Sequence, residues 1–285
     1  MKKKLIVLGL ISTMTFSIVA CGSDNNPSNE TTTATEMENN ETKNNEDDTV
    51  DNKTESVDTT DKTDELTDEY LLSLSETSSE MFLYDELSDG SGICIDKYIG
   101  EDDVNAIIIV PTTIDDKPVK EISSKAFYNV NVKAVVVSGD VEYLGENAFH
   151  FSEIEKVLIT SPIKEMGNGV FMQSRIKEIV INNAETIGCT CFSSSTIDTI
   201  KLSTKTIQDG AFITSKVQKL IIESECVSEG AFLGNKIKVI EFLDGKFTFD
   251  DSDNGKFEET LFIAPSGSEV EQYAKDNGLN FEALD

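Results

Sequence analysis

The 285-residue sequence contains no tryptophan and only one histidine, His150. The absence of tryptophan, with an aromatic content of 7%, argues against a carbohydrate site built on exposed rings. A single histidine without a nucleophile motif elsewhere in the chain excludes a Ser-His-Asp triad of familiar form. We therefore predict no catalytic residues, and we expect His150 to be an ordinary surface residue.

Basic residues are also scarce, since 24 Lys and Arg stand against 53 Asp and Glu and the formal net charge is -29. A chain with this excess of negative charge repels polyanions, which disfavours a nucleic acid as partner. The sequence has neither a glycine-rich phosphate loop nor the ligand spacing of a zinc site. We predict that the protein is not an enzyme, uses no cofactor and binds no nucleic acid.

The long apolar segment of the chain spans residues 5–16 and follows three lysines at residues 2–4. Ser12, Thr13 and Thr15 interrupt it, whereas a membrane-spanning helix needs about 20 predominantly apolar residues. The segment ends in Ile-Val-Ala-Cys at residues 18–21, which resembles a bacterial lipobox. We predict that residues 1–21 form a signal peptide. Lipid on Cys21 would then hold the chain at the extracellular face of the bacterial membrane.

Large apolar residues are almost missing from residues 22–70, which contain sixteen Asp and Glu and three Lys. Such a segment cannot bury enough apolar surface to offset the entropy of ordering it. We predict that residues 22–78 form a disordered acidic tether between the lipid anchor and a folded domain.

Signals for metal binding and for disulfides are weak. Asp250, Ser252 and Asn254 place oxygens at alternate positions, as a calcium loop does, but Leu261 stands where a bidentate glutamate belongs. We favour a polar turn there and predict no metal site. The four cysteines after Cys21 are predicted to be free thiols because their spacing does not bring pairs within bonding distance; they are Cys94, Cys189, Cys191 and Cys226.

Repetition is the dominant feature of the rest of the chain. A small residue followed by phenylalanine occurs six times, at intervals of 20 to 22 residues. These phenylalanines are Phe127, Phe149, Phe171, Phe192, Phe212 and Phe232. Each is followed by an apolar-x-x-apolar-x-apolar run, such as Ile154, Val157 and Ile159. This period is typical of a leucine-rich-repeat-like solenoid, in which units stack because one unit cannot bury its own apolar edge.

The repeat predicts an α/β-type solenoid, a right-handed coil of the leucine-rich-repeat kind. Each apolar run predicts a short strand, and stacked strands form a parallel sheet on one face. The stretch before each phenylalanine is predicted to be a turn or a short 3₁₀ or helical piece on the other face. The six phenylalanines would fill the gap between the two faces as a core ladder. Polar pairs such as Asn182–Asn183 are predicted to turn the chain away from the sheet.

The pattern I-x-x-I-x-I followed by I-x-x-I-G-x-x-A-F resembles the BspA-like leucine-rich repeats of bacterial surface proteins. The resemblance covers about residues 82–285, including an entry sequence at 98–122 and an exit sequence at 267–281. It implies a secreted or surface-anchored protein, and some members of the family are adhesins that bind host or bacterial proteins.

Both ends of the repeat array carry signals for caps, which a solenoid needs. Apolar residues on either side of a turn at Asp89–Gly90 predict a β-hairpin at the N-terminal end. Ser268 with Glu271 predicts a short capping helix near the C-terminus. We predict a repeat domain over residues 79–285, with an N-terminal cap at 79–118, repeats at 119–263 and a C-terminal cap at 264–285.

Outward-pointing strand residues provide the candidate binding face. Val136, Leu158, Val180 and Ile221 form an apolar strip, and Lys156 and Glu178 belong to a flanking polar column. An apolar strip with a polar rim is typical of a protein-binding surface, although β-branched residues suit strands wherever they point. We expect a monomer that binds an unidentified host or bacterial protein, with cell-wall or carbohydrate binding and a passive spacer as the alternatives.

Overall fold

A computed structural model describes residues 66–227, 230–245 and 257–284. Cys21, the chain up to residue 65 and the weak calcium candidates Asp250, Ser252 and Asn254 lie outside these residues. The helices are α1 (Asp68–Ser73) and α2 (Glu269–Asn277), with a 3₁₀ turn at Ser79–Met81. The strands are β1 Phe82–Glu86, β2 Ile93–Tyr98, β3 Ile107–Ile109, β4 Thr113–Ile114, β5 Lys117–Ile122, β6 Asn131–Val137, β7 Tyr143–Leu144, β8 Glu153–Ile159, β9 Ile163–Met166, β10 Arg175–Ile187, β11 Thr196–Ile207, β12 Lys216–Val227, β13 Lys236–Phe242, β14 Leu261–Pro265 and β15 Asn280–Leu284.

The strands form two parallel ladders, so each coil of the solenoid crosses two strand segments. The first ladder runs through β3, β6, β8, β10, β11, β12, β13, β14 and β15. Its register joins equivalent repeat positions, for example Val157 with Ile179 and Ile179 with Ile200. The second ladder joins β5, β7 and β9 to the later parts of β10, β11 and β12. The predicted parallel solenoid is therefore confirmed, and the second ladder is an addition to it.

The prediction for the polar pair Asn182–Asn183 is wrong. β10 continues through these residues as an extended strand, with a shift of register between Ile181 and Ala184. Ile181 pairs in the first ladder and Ala184 pairs in the second, so the two strand segments of this coil are continuous through Asn182 and Asn183. At the earlier pair Gly139–Asp140 the chain does bend, and β6 and β7 are separate strands.

The six core-ladder phenylalanines stack in one continuous column. Five are fully buried and Phe232 is 5% exposed. Successive ring centroids from Phe127 to Phe232 lie 4.8, 5.2, 5.6, 4.8 and 5.2 Å apart, with interplanar angles between 4° and 18°. A buried phenylalanine contributes roughly 1.5–3 kcal/mol, so this column is a main source of stability.

The phenylalanines lie on six turns that hydrogen-bond from coil to coil. The amide of Phe149, for example, donates to the carbonyl of Val170 at 2.8 Å, and that of Phe171 donates to Cys191 at 2.8 Å. Two residues in each turn, four positions apart, have a positive φ, such as Asn147 at 58° and Phe151 at 62°. Of the predicted alternatives for this segment, the turn is the one observed, and we call this side of the solenoid the turn edge.

Both caps have the predicted form. β1 and β2 pair as an antiparallel hairpin, and β2 joins the second ladder through β5. α2 begins after Ser268, whose hydroxyl accepts the amide of Glu271 at 3.2 Å, and it ends at Gly278 with φ of 65°. Val270 and Ala274 are the buried residues of α2. The chain then returns as β15 beside β14.

The predicted tether is wrong at its C-terminal end, because residues 66–78 belong to the folded domain. Thr67 caps α1 by accepting the amide of Tyr70 at 3.1 Å. Leu71 is fully buried, and Leu66 and Leu74 pack beside it on the sheet. These three leucines distinguish the segment from the polar stretch before it and supply the apolar surface that offsets the cost of ordering. Residues 22–65 of the predicted tether lie outside the described part.

Candidate interaction surfaces

The predicted binding strip is a real column of the first ladder. Register pairs place Val136 beside Leu158 and Leu158 beside Val180. The column continues through Lys201, Ile221 and Glu241. These side chains point away from the phenylalanine core, on what we call the outer face. The sequence therefore predicted the alignment of the strip correctly.

The prediction that this strip is open to solvent is wrong for its N-terminal half. Val136 and Leu158 are fully buried and Val180 is 3% exposed. They form a second apolar cluster with Leu71 of α1, Ile109 and Ala134, which is separate from the phenylalanine core. The leucines of α1 and its flanking residues, Leu66, Leu71 and Leu74, cover these apolar side chains.

An ion-pair network borders the covered strip. The Lys156 ammonium lies 2.6 Å from a carboxylate oxygen of Asp68 in α1 and 3.0 Å from one of Glu178. Glu178 also pairs with Lys201 at 3.0 Å. Burial opposes the charge of Lys156, but hydrogen bonds to Asp68 and Glu178 outweigh it and raise the lysine pKa. Burial likewise disfavours charged Glu178, and its two lysine partners nevertheless lower the pKa of its carboxyl.

The C-terminal half of the outer face is more polar. Lys201 is exposed, and Ile221 is half-buried. Lys219 pairs with Glu241 at 2.6 Å. Of the predicted binding-face residues, only Ile221 is an apolar residue with partial access to solvent. The open part of this face therefore lacks the continuous apolar strip that we predicted.

A second surface lies on the turn edge, where three rings of adjacent coils meet. His150 and Phe151 stack with ring centroids 4.2 Å apart, and the ring of Tyr128 packs edge-on against both, at 5.6 and 5.9 Å. Tyr128 is 45% exposed and Phe151 is 43% exposed. His150 is fixed by a 2.8 Å hydrogen bond with Gln173. We call Tyr128, His150 and Phe151 the aromatic cluster.

Phe151 occupies an unusual backbone position for its type. Its φ is 62°, and the equivalent left-handed positions of the other turns are Asn129, Gln173, Ser194, Thr214 and Gly234. A left-handed conformation costs an ordinary L-residue about 1–2 kcal/mol, and asparagine and glycine adopt it most readily. The residue is 43% exposed, so burial and ring contacts offset this cost only in part. Sequence analysis missed the aromatic cluster, although the departure of Phe151 from a polar column was visible in the repeat alignment.

A family model described as BspA type leucine rich repeat region matches residues 120–238 in six copies. These residues are BspA-type leucine-rich repeats. The aromatic cluster lies on the turns of the first BspA-type repeats, and the strip covered by α1 lies on the strands of the same repeats.

Two solved structures are similar to this chain. One is the leucine-rich repeat protein of T. pallidum, TpLRR, with 21% identity over 56% of this chain and 89% of that one, at a TM-score of 0.37. The other is the pneumococcal vaccine antigen PcpA, with 11% identity over 74% of this chain and 85% of that one, at a TM-score of 0.30. No curated protein matches the chain.

The described residues offer little other chemistry. Among the described residues, His, Cys, Asp and Glu side chains do not gather in groups of three or more that could hold a metal ion. Within the same ranges, neither α1 nor α2 has the length and apolar character of a membrane-spanning helix. Cys94, Cys189 and Cys191 are free thiols, as predicted, and burial raises the pKa of Cys191 to about 12. The side chain of Cys226 lies outside the described part.

A groove of about 490 Å³ lies at the starts of β6, β8, β10 and β11. Two ion pairs lie along it: Arg175 lies 2.7 Å from Glu153, and Lys177 lies 2.7 Å from Glu155. The groove therefore carries charges of both signs, without an excess of one sign in these two pairs. The aromatic cluster is therefore the more distinctive open surface.

Proposed function

We propose that this protein is a lipid-anchored, adhesin-like protein of the bacterial cell surface, and that its BspA-type solenoid binds a partner protein through the turn edge. BspA-type repeats are typical of cell-surface proteins, which supports the compartment. The lipobox-like sequence ending in Cys21 supports the lipid anchor. The observation on which the binding role depends is the aromatic cluster, and above all Phe151.

The composition of the turn edge fits recognition of a protein. Tyrosine and phenylalanine are enriched at the centres of protein interfaces, where polar residues surround them. Asn129 and Gln173 flank the aromatic cluster in the neighbouring turns, and the exposed Tyr128 hydroxyl gives one ring a polar end. The cluster costs conformational energy and exposes apolar surface, so a role in stability does not account for it. Binding does account for it, because a partner would bury the rings.

The replacement of Phe151 by asparagine tests the binding site. Phe151→Asn restores the residue type found at Asn129 and should leave the free energy of unfolding unchanged or raise it by up to about 1 kcal/mol, because asparagine tolerates the left-handed conformation. The same change should weaken, at least tenfold, binding of a partner protein first isolated by pull-down with the intact chain. Urea unfolding and biolayer interferometry on the intact chain measure the two effects.

Leu233→Asn is the matched control, since Leu233 is 49% exposed on the turn edge at the far end of the array. It should leave partner binding unchanged. The proposed site is wrong if Phe151→Asn destabilises the fold, which would assign the ring a structural role, or if both variants bind equally well. Binding of the intact chain to a glycan array instead of a protein would favour the carbohydrate alternative.

The membrane anchor has its own test. Cys21→Ser removes the only side chain at which the lipobox-like sequence can be lipidated, so labelling with a fatty-acid analogue should disappear and the protein should leave the membrane fraction. Ser17→Ala lies in the same segment and should change neither result. A Cys21→Ser chain that stays in the membrane fraction would mean that residues 5–20 are a transmembrane anchor.

A further inference from the structure

We infer that the outer face of β6, β8 and β10 is a helix-docking site, that α1 occupies it in the resting protein, and that a partner helix displaces α1. The partner helix would carry an acidic residue three positions before a leucine on one face. This site lies on the strands and uses no residue of the aromatic cluster, so it is independent of the function proposed above.

The floor of the site is apolar and continuous across the coils. Ile109, Val136, Leu158 and Val180 are successive members of one column. All four are at least 94% buried, and Ala134 of the next column leaves room beside them. Side chains of this kind on the solvent side of a sheet form a liability if left bare. They therefore require an occupant, and Leu71 is the fully buried residue that α1 places on them.

The side of the site carries the ammonium group of Lys156, a largely buried cation that has to be paired with a carboxylate. Lys156 has a side chain only 7% exposed, and Asp68 supplies one of its two carboxylate partners. Asp68 and Leu71 are three residues apart, so a single helical turn places both on the face that meets the sheet. The chemistry of α1 thus defines what the site recognises, namely a helix with an acidic residue at position i and leucine at position i+3.

α1 itself is attached in a way that permits its release. It has six residues, and isolated helices shorter than about 12–15 residues are marginal in water. Behind it, a separate set of bonds holds the chain to the sheet: the Thr77 amide donates to the Ile109 carbonyl at 2.9 Å, and the Glu76 carboxylate accepts the Thr112 amide at 2.9 Å. Because these bonds lie after α1 in sequence, the helix can leave while the N-terminal hairpin stays in place.

The exposed neighbour of Leu71 provides a matched pair of variants for the test. Leu71→Asp puts a charge into the apolar floor and should release α1, whereas Leu72→Asp alters a side chain of the same helix that is 51% exposed. The probe is a fluorescein-labelled peptide with the sequence of residues 66–75, LTDEYLLSLS. Fluorescence anisotropy measures its binding to each full-length chain.

We expect the Leu71→Asp chain to bind the peptide at least tenfold more tightly than the unaltered and Leu72→Asp chains, in which α1 still fills the site. A peptide carrying the change equivalent to Asp68→Asn should bind the opened chain several-fold more weakly. Lys156→Met in the opened chain should remove that preference. Adding Phe151→Asn to the opened chain should leave peptide binding unchanged, which separates this site from the turn edge. If the folded Leu71→Asp chain binds no more peptide than the Leu72→Asp chain does, the inference is wrong.

Hydrogen exchange on the unaltered chain gives a test that does not depend on the variants folding. The amides of Leu71 and Leu74, which donate within α1, should exchange at least a hundredfold faster than the ladder amides of β8. Equal protection in α1 and β8 would show that the helix does not open separately and would overturn the inference. A concentration-dependent dimer that Leu71→Asp abolishes would also overturn it, because a second copy of the chain would then be the occupant.

Discussion

At the scale of single residues, the turns depend on a row of buried serines. The hydroxyl of Ser152 donates to the carbonyl of Phe127 at 3.0 Å, and that of Ser174 donates to the carbonyl of Phe149 at 2.7 Å. Those two bonds reach the preceding turn, whereas the hydroxyls of Ser195 and Ser215 donate to the phenylalanine carbonyl of their own turn. Serine recurs here because a small hydroxyl can satisfy a carbonyl in the core without disturbing the stacked rings. The serine row therefore stabilises the same turns that position the phenylalanine column.

Ser161 is a buried serine of the opposite kind, because its hydroxyl has no hydrogen-bond partner among the described residues. Ser174→Ala should lower the free energy of unfolding by about 1 kcal/mol through loss of a buried hydrogen bond. Ser161→Ala should be neutral or stabilising, because it removes an unsatisfied hydroxyl. Urea unfolding of both variants checks the pair, and an equal loss of stability would contradict this account of the serine row.

At the scale of elements, α1 is joined to the sheet by charge as well as by leucine. Glu178 has a lowered pKa, so its charged form contributes stability that is fully present above its ordinary pKa of 4.5 and is lost as the pH falls through the lower, folded value. Lys156 has a raised pKa, so its contribution is lost only in strong base, as the pH rises above 10.5. The contributions of Lys156 and Glu178 are therefore both present at neutral pH.

This network predicts an acid-dependent effect of Glu178. Glu178→Gln should lower the melting temperature at pH 7, and the difference from the unaltered chain should shrink as the pH falls well below 4.5, where Glu178 is neutral in both states. Glu165→Gln, which changes an exposed carboxylate, should have no such pH-dependent effect. Calorimetry at pH 7 and pH 3 measures the differences. A gap between the unaltered and Glu178→Gln chains that is as large at pH 3 as at pH 7 would argue against a role for the charged form.

How much of these elements could be predicted follows from how each one is encoded. Core positions such as those of Phe149 and Val157 recur in six repeats, so the repetition itself identifies them as buried. The two caps have local sequence signals, in the hairpin turn and in Ser268. α1 occurs once, in a segment whose acidic composition matches the tether. Its few leucines are buried only because they contact the strip, and local sequence does not show that contact. The second ladder was hidden because its strands are two to four residues long in β7 and β9, too short to show a pattern.

The sequence predicts which residues of the candidate binding strip align in one column, but it does not predict whether that column is exposed to solvent. Alternation along each strand places Val136, Leu158 and Val180 in one outward column, and the register confirms it. Whether another element covers a column is a long-range property that strand periodicity does not contain. The aromatic cluster was overlooked for a different reason: the alignment shows that Phe151 departs from a polar column, but it does not show that this column has a left-handed φ.

At the scale of the whole molecule, the described domain is a one-dimensional stack in which each coil contacts its neighbours. The register between β11 and β12 is offset by 20 residues throughout, as for Ile197 with Val217 and Ile207 with Val227. β10 and β12 present the same columns to β11 from its two sides. Removing one whole coil should therefore bring β10 and β12 together with every column still aligned.

Deletion of residues 193–212 tests this modularity. The shortened chain joins Phe192 to Ile213 and should keep a single cooperative unfolding transition, with a urea m-value lower by about one-tenth because less surface is buried. Deletion of residues 193–202 removes half a coil, misaligns the columns and should abolish the folded state. Far-UV circular dichroism and urea titration distinguish them. Loss of folding in both chains would mean that neighbouring coils are not interchangeable.

The position of α1 has a mechanical consequence. The chain enters the described domain through Leu66, so tension between an anchored N-terminus and a partner held by the solenoid loads α1 before it loads any strand. A helix of six residues with one fully buried side chain peels away under a smaller force than strands joined by ladders of hydrogen bonds. The bonds of Glu76 and Thr77 to the sheet would then arrest the peeling. If the lipid anchor proposed above holds the N-terminus, a pull on the chain would thus uncover the outer face while the coils stay intact.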